Sequence, residues 1–263
     1  KSILLTSSDE PPIKWHMLIS IIGCGLGIFL SGIVHISAMK ANTIMPMVDR
    51  INAGFKVILG SGSPRRKELV ALMGFNSFTI KASTFAEDLD HSLFPTPELY
   101  CLETARKKIE QVSADIGVVN DKTLLIGADT IVEIDGRILE KPRDSADSSR
   151  MLHNLSNRDH RVHTAVVVFS NSRDLEGRSG HPAGALTPLI SFVETTKVSF
   201  CDLTDSDIDA YVASGEGMDK AGSYGIQGGG SLFVKGIDGC YFNVMGFPVH
   251  RLSQELAAVF CPK

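Results

Sequence analysis

A mixed α/β sheet with helices packed on it is the fold this sequence predicts, from three observations. Short apolar runs with strand character alternate with amphipathic stretches of helical period, one hairpin turn interrupts the alternation, and no internal repeat is present. With 263 residues, 43% of them hydrophobic and 21% charged, the chain is long enough to bury a core. The formal charge of −4 supplies no overall basic field, which speaks against a nucleic-acid partner and leaves a small anionic ligand open.

The elements follow in order. An apolar run over 56–60 ends in glycine and leads through Ser61-Gly62-Ser63-Pro64 into a helical pattern over 65–74. Ser63 suits the N-cap, and Pro64 the first turn, where a missing N–H costs nothing. A strand over 78–82 precedes an acidic loop with Glu87, Asp88 and Asp90. A helix is predicted over 97–117, because Leu99, Leu102, Ala105, Ile109, Val112 and Ile116 recur every three or four residues. Its other face is expected to carry Glu103, Arg106, Lys107, Lys108 and Glu110.

Strands are predicted over 124–126 and 131–134, with Asp135-Gly136 turning the chain into Ile138. A helix over 145–155 and a strand over 162–169 come next. The Ser-, Gly- and Pro-rich segment 171–188 has no periodicity and reads as a flexible insertion. Beyond it a strand over 192–200, a helix over 205–214, a glycine-rich stretch, strands over 231–234 and 241–245, and a helix from Val249 complete the pattern.

Residues 1–52 read as an N-terminal extension, with a polar join over 40–52, ahead of a domain over 53–263. Within it the uncharged stretch 17–38 is about the ~20 residues that cross a bilayer. It reads as a membrane anchor, a cleaved targeting segment or translation upstream of the working start. The five cysteines are odd in number and never form Cys-x-x-Cys, so reduced thiols in a cytoplasmic compartment are expected. An anchored protein is the alternative.

Four segments carry chemistry. Ser61, Ser63, Arg65 and Arg66 gather hydroxyls and guanidinium groups at a helix N-terminus, an arrangement that favours phosphate but lacks the Gly-Lys-Ser/Thr of a Walker loop. An aspartate in Gly127-Ala128-Asp129-Thr130, placed at a strand end, suits a divalent cation or a general base, or is an ordinary turn residue. Glu140-Lys141, and later Glu194, Thr195, Thr196 and Lys197, set lysines beside carboxylates that can surround phosphate. In 215–230, glycine permits close backbone approach to a ligand, Asp219 and Lys220 supply charge, and Gln227 can hydrogen-bond a base edge. His153, His160 and His163 show no metal-ligand spacing and read as structural.

Taken in order, Ser61 to Arg66 with Glu68-Leu69, Gly127 to Thr130, Lys141-Pro142, Asp219-Lys220-Ala221-Gly222 with Tyr224 and Ile226-Gln227-Gly228, and Asn243-Val244 with Gly246-Phe247-Pro248 resemble the Maf family of nucleotide pyrophosphatases. The resemblance runs from about Lys56 to the end, and is nearest to the Maf-like domain that precedes a methyltransferase part in animal acetylserotonin O-methyltransferase-like protein. No methyltransferase region is expected in these 263 residues.

The resemblance implies an inosine-triphosphatase-like fold of two lobes with a central cleft, a divalent cation (Mg, Mn or Co), and hydrolysis of a nucleoside triphosphate between its α and β phosphates. Asp129 would be the proton acceptor, and Arg65, Thr130 and Gln227 would set base preference. Glu87, Lys108 and Lys141 would surround phosphate and metal, beside Ser61, Ser63, Arg66, Asp219 and Lys220. The form of the fourth motif is similar to the branch that prefers dTTP and UTP. Alternatives are a modified purine substrate and a nucleotide-binding regulator of division without catalysis. A homodimer is also expected. Asn157 stands where the family often has glycine, and the insertion over 171–188 is longer than usual.

Overall fold

The computed structural model describes residues 44–117, 122–170 and 188–261. The apolar stretch 17–38 lies outside them, as does the insertion except Pro188. Among the described residues no helix is long and apolar enough to cross a membrane.

The first described element is a helix where a polar join is expected: α1 spans Ile44–Gly54 and buries Met47, Val48 and Ile51. Those three fall on one helical face, and an Arg50 guanidinium bond to the Phe260 carbonyl ties α1 to the last helix, α7 (Val249–Phe260). Residues 44–52 therefore belong to the packed unit.

Among the described residues seven strands form one mixed sheet in the order β2-β1-β3-β5-β6-β7, with β4 added on β3. Strand β1 (Lys56–Leu59) runs parallel to both β2 (Phe78–Ile80) and β3 (Thr123–Ile134). The remaining pairs are antiparallel: β3 with β4 (Arg137–Leu139) and β5 (Asp159–Ser170), β5 with β6 (Ile190–Phe200), and β6 with β7 (Val234–Asp238). The turn from β3 to β4 takes positive φ at Asp135 (52°) and Gly136 (75°), the pairing of two left-handed residues that the Asp-Gly dipeptide favours.

Helix α2 (Pro64–Leu72) is capped by Ser63 as expected, and α3 (Pro97–Ile116) by Thr96. Helices α4 (Ser145–Leu155) and α5 (Asp205–Ser214) keep their expected limits, α5 with a capping box between Thr204 and Asp207. Alternation along β3 splits the core. Leu124, Ile126 and Ala128 pack with α1, α2 and α7, whereas Leu125 and Ile131 pack under α3. A third cluster, with Val132, Ile134, Val162 and Phe200, lies beneath α4, α5 and Tyr224.

Four further expectations fail. Predicted strands over 124–126 and 131–134 are one strand, since Gly127 through Thr130 pair residue for residue with Val167 through Thr164. The stretch 241–245 holds a short helix, α6 (Tyr241–Val244), and in place of the strand expected over 231–234 a 3-10 helix, Gly229–Phe233, leads into β7. On α3 the buried face is Tyr100, Cys101, Thr104, Ala105, Lys108, Ile109 and Val112, with Leu99 exposed. The helix begins where expected, but in its first turn the buried face is shifted by about one residue from the expected apolar stripe, because Tyr100 and Cys101 fill the core there and Leu99 does not.

Candidate active site

The cleft opens where β1 ends. Its last partner on β3 is Ile126, β4 pairs only from Val132, and the intervening residues of β3 keep β5 as their one neighbour. That gap lies at the carboxyl end of β1, the usual location of ligand sites in open α/β sheets. The loop after β1 and the N-terminus of α2 border it. Gly60 and Gly127 let α3 lie close, since a Cβ on either would come within 3 Å of the Ile109 side chain.

All twelve site residues expected from the sequence line this one cleft of about 740 Å³. Asp129 is 5% exposed in mid-strand, not at a strand end or in a turn. Its carboxylate points to the α3 face, where Lys108 Nζ donates to Oδ1 at 2.5 Å. Lys108 is 8% exposed, so it does not belong to the solvated face predicted for it. Burial of an ammonium group requires charged partners, and these come from two other elements: Asp129 and, at 2.8 Å, Glu87 Oε2.

Glu87 adopts φ +53°, a left-handed conformation uncommon outside glycine. Burial works against its charge, but Lys108, Lys141 and Arg66 hold its carboxyl below the usual glutamate value. Lys141 Nζ stands 3.6 Å from Glu87 Oε1. The Cys101 thiol packs 3.7 Å from Asp129 Oδ2, and burial pushes that thiol well above its ordinary pKa. Cys101 was missed because a single cysteine within an amphipathic pattern carries no signal of its neighbour.

On the opposite face of β3 the next residue, Thr130, meets the arginine loop. Arg66 donates from Nη2 to Thr130 Oγ1 at 2.9 Å, from Nη1 to Ser61 Oγ at 3.2 Å, and from Nε to the Gly246 carbonyl at 2.9 Å. Burial lowers the guanidinium pKa, and the Asp129 charge opposes that effect. Thr130 Oγ1 also lies 3.0 Å from Thr164 Oγ1, which donates to the Asn243 carbonyl at 3.0 Å. Arg66 thus joins the phosphate-type loop, β3 and the turn after α6, with donors to spare for an anion. Arg65 is freer, its Nη1 3.5 Å from Asp219 Oδ2 across the mouth. Asp219 also takes Lys220 Nζ at 2.6 Å, so its carboxylate acts as a counter-charge to two cations.

The glycine-rich wall departs from expectation. Most of its glycines are packed against protein rather than left open for a ligand: a Cβ on Gly217 would meet Ser223 O at 2.2 Å, on Gly222 the Val132 side chain at 2.7 Å, on Gly228 the Glu216 carboxylate at 2.4 Å. Gln227 is exposed in the cleft. Glu140, across the cleft, accepts from the Tyr100 hydroxyl and lies 3.5 Å from His91 Nε2.

The second lysine-carboxylate segment is elsewhere. Lys197 pairs with exposed Asp159, and Thr195 and Thr196 bond His163 and the Asn243 region. His160 bonds the Tyr224 hydroxyl at 2.8 Å, and His153 pairs with Asp205 on the surface. Asn157 has φ +55°, a conformation asparagine tolerates nearly as glycine does. Among the described residues no three His, Cys, Asp or Glu side chains are grouped to hold a metal ion by themselves.

The Maf-like protein family matches residues 56–259 of the chain. A dTTP/UTP pyrophosphatase of Bacillus pumilus is 44% identical over 76% of this chain and 95% of its own length, and one from Bacillus cereus is 41% identical over 76% and 94%. A human protein named probable bifunctional dTTP/UTP pyrophosphatase/methyltransferase is 40% identical over 79% of this chain, which spans 32% of the human one. A HAM1 protein from Coxiella burnetii, known in three dimensions, is 14% identical over 77% of this chain and 98% of its own, with a TM-score of 0.38.

Proposed function

The chain belongs to the Maf family, and from that membership we propose that it is a nucleoside triphosphate pyrophosphatase that hydrolyses dTTP and UTP to the monophosphate and pyrophosphate. The observation that carries the reading is the convergence of Asp129, Lys108, Glu87, Lys141, Arg65, Arg66 and Gln227, drawn from six separated stretches of chain, on one cleft.

The chemistry follows from the charges. A bound triphosphate brings about four negative charges, which Lys141, Lys220 and the spare donors of Arg65 and Arg66 offset. Arg65 then exchanges Asp219 for phosphate. Water adds to the α-phosphorus, its proton passes to Asp129, and the bridging oxygen leaves with pyrophosphate. Lys108 holds Asp129 Oδ1 and leaves Oδ2 as the basic oxygen. Thr130 acts on the base through Arg66, because its hydroxyl is engaged by that residue and by Thr164. The exposed Gln227 amide reads the base edge.

A divalent cation would be held by the Glu87 carboxylate together with phosphate oxygens and water, hard oxygen ligands of the kind magnesium favours, which leaves Asp129 to take the proton. When bound, it would offset charge on the phosphates.

The test is pyrophosphate release by the 263-residue chain from dTTP, UTP, CTP, GTP, ATP, 7-methyl-GTP and modified pyrimidine triphosphates, with magnesium, manganese or cobalt. Preference for dTTP and UTP is the expected result. No release from any of them by folded protein would move the reading to a nucleotide-binding regulator.

A further inference from the structure

One carboxylate in the glycine-rich wall has no part in the proposed reaction. Glu216 follows Gly215, whose φ of +71° ends α5 in the left-handed region. Its Oε2 accepts from the Gly229 N–H at 2.8 Å, while its Oε1 accepts from the Tyr211 hydroxyl at 2.9 Å and the Gly230 N–H at 3.4 Å. These bonds hold the Glu216 carboxyl below its ordinary pKa against the opposing effect of burial. The same Tyr211 oxygen accepts from the Gly225 N–H at 3.1 Å. The backbone is thus fastened two residues before Gln227 and two residues after it.

The packing agrees. A Cβ on Gly228 would stand 2.5 Å or less from both Glu216 oxygens, and one on Gly230 would come 3.0 Å from Tyr211 Oη. Glycine is required there so that the carboxylate can reach the backbone. Apart from this clamp, the segment is tied by a 3.4 Å contact from Gly228 N to Gly225 O, by bonds to Gly228 O from Ser231 N at 3.0 Å and Ser231 Oγ at 2.6 Å, and by the buried Ile226 side chain.

We propose that Glu216, with Tyr211, is a positioning residue for base selection: the pair fixes the backbone on both sides of Gln227, so the Gln227 amide meets a pyrimidine edge at one register. This rests on Gln227 facing the base in the proposed pyrophosphatase. A carboxylate only accepts hydrogen bonds, which suits three converging donors. A glutamine amide would turn an NH₂ toward at least one of them and release that part of the loop.

The experiment measures kcat and KM for dTTP, UTP, GTP and ATP with the unaltered chain and with Gln227→Ala, Glu216→Gln, Glu216→Asp and Tyr211→Phe, each checked for folding by circular dichroism. Gln227→Ala should abolish most of the pyrimidine preference. Glu216→Gln should lower the dTTP-to-GTP ratio of kcat/KM about tenfold, the scale of a lost hydrogen bond to a charged group, through KM more than kcat. Tyr211→Phe should shift it the same way by less, and Glu216→Asp should recover part of it. An unchanged ratio in Glu216→Gln and Tyr211→Phe, with Gln227→Ala altering it, overturns the clamp and leaves the reading of Gln227 intact. An unchanged ratio in Gln227→Ala overturns the base-facing role and the clamp together. Equal loss on all four substrates makes Glu216 a stability residue and also overturns the proposal. If Glu216→Gln fails to fold, the ratio in Tyr211→Phe decides.

Discussion

The floor of the cleft and the aromatic cluster beneath the glycine-rich wall share strands β3 and β5, yet they bury polar groups in opposite ways. At the floor, Lys108 (8% exposed) and Asp129 (5%) face each other as an ion pair, with Glu87 as third member. In the cluster, His160 (2% exposed) sits among Phe200 and Tyr224, and burial drives its pKa down to about 4. Opposite charges are paired where a ligand can use them, and burial disfavours the charged form where only shape is needed.

The largest expected effect separates chemistry from binding. Asp129→Asn keeps the size of the side chain and removes its basicity, so turnover should fall by roughly 10²-fold or more while nucleotide affinity, read by calorimetry, is kept. Near-normal turnover would take Asp129 out of the reaction.

Next comes Lys108→Met, which leaves two carboxylates facing each other without their shared cation. Removing one partner of a buried pair costs about 3 kcal/mol or more, measurable by urea unfolding, and activity should be lost as well. A stability change under about 1 kcal/mol would mean that the floor behaves like a surface pair.

The aromatic region gives a smaller effect with a defined sign. The folded His160 pKa near 4 lies below the ordinary 6.5. The unfolded chain therefore takes up a proton first as pH falls, so the stability due to neutral His160 is complete above about pH 6.5 and is lost toward pH 4. The loss is about 3 kcal/mol at most. Comparing urea unfolding of the chain and His160→Gln between pH 7.5 and 4.5 checks it: the unsubstituted chain should lose more stability across that window, and equal losses would contradict the assignment. Smallest of all, Arg106→Ala should cost about 0.5 kcal/mol, since its partners Glu103 and Glu110 lie on the outer face of α3.

What could be read from the amino acids follows the same division. Local signals served well: Ser63 before Pro64, Asp135-Gly136, and the limits of α4 and α5 all depend on neighbouring residues. Most site residues were legible because they sit in ordered motifs that the family resemblance joins, while Glu87 and Lys108 lie outside those motifs and follow from the resemblance alone. What escaped depends on partners distant in the chain. Helical period alone puts Lys108 on the solvated face, and only the resemblance brings it to the site, because its partners Glu87 and Asp129 arrive from other elements. Gly127 to Thr130 read as a break until β5 pairs with them. Tyr241 to Val244 read as a strand by their aromatic and β-branched residues but coil into α6, where Asn243 donates to the Val162 carbonyl and Thr196. The glycines of 215–230 read as room for a ligand, although several are spaces filled by Glu216, Val132 and Ser223.

The most direct test of the central claim is to hydrolyse dTTP with this chain in ¹⁸O-labelled water and to locate the label by mass spectrometry. Attack on the α-phosphorus with release of pyrophosphate predicts one labelled oxygen in dTMP and none in pyrophosphate. Label in pyrophosphate, or in inorganic phosphate released beside dTDP, would contradict it.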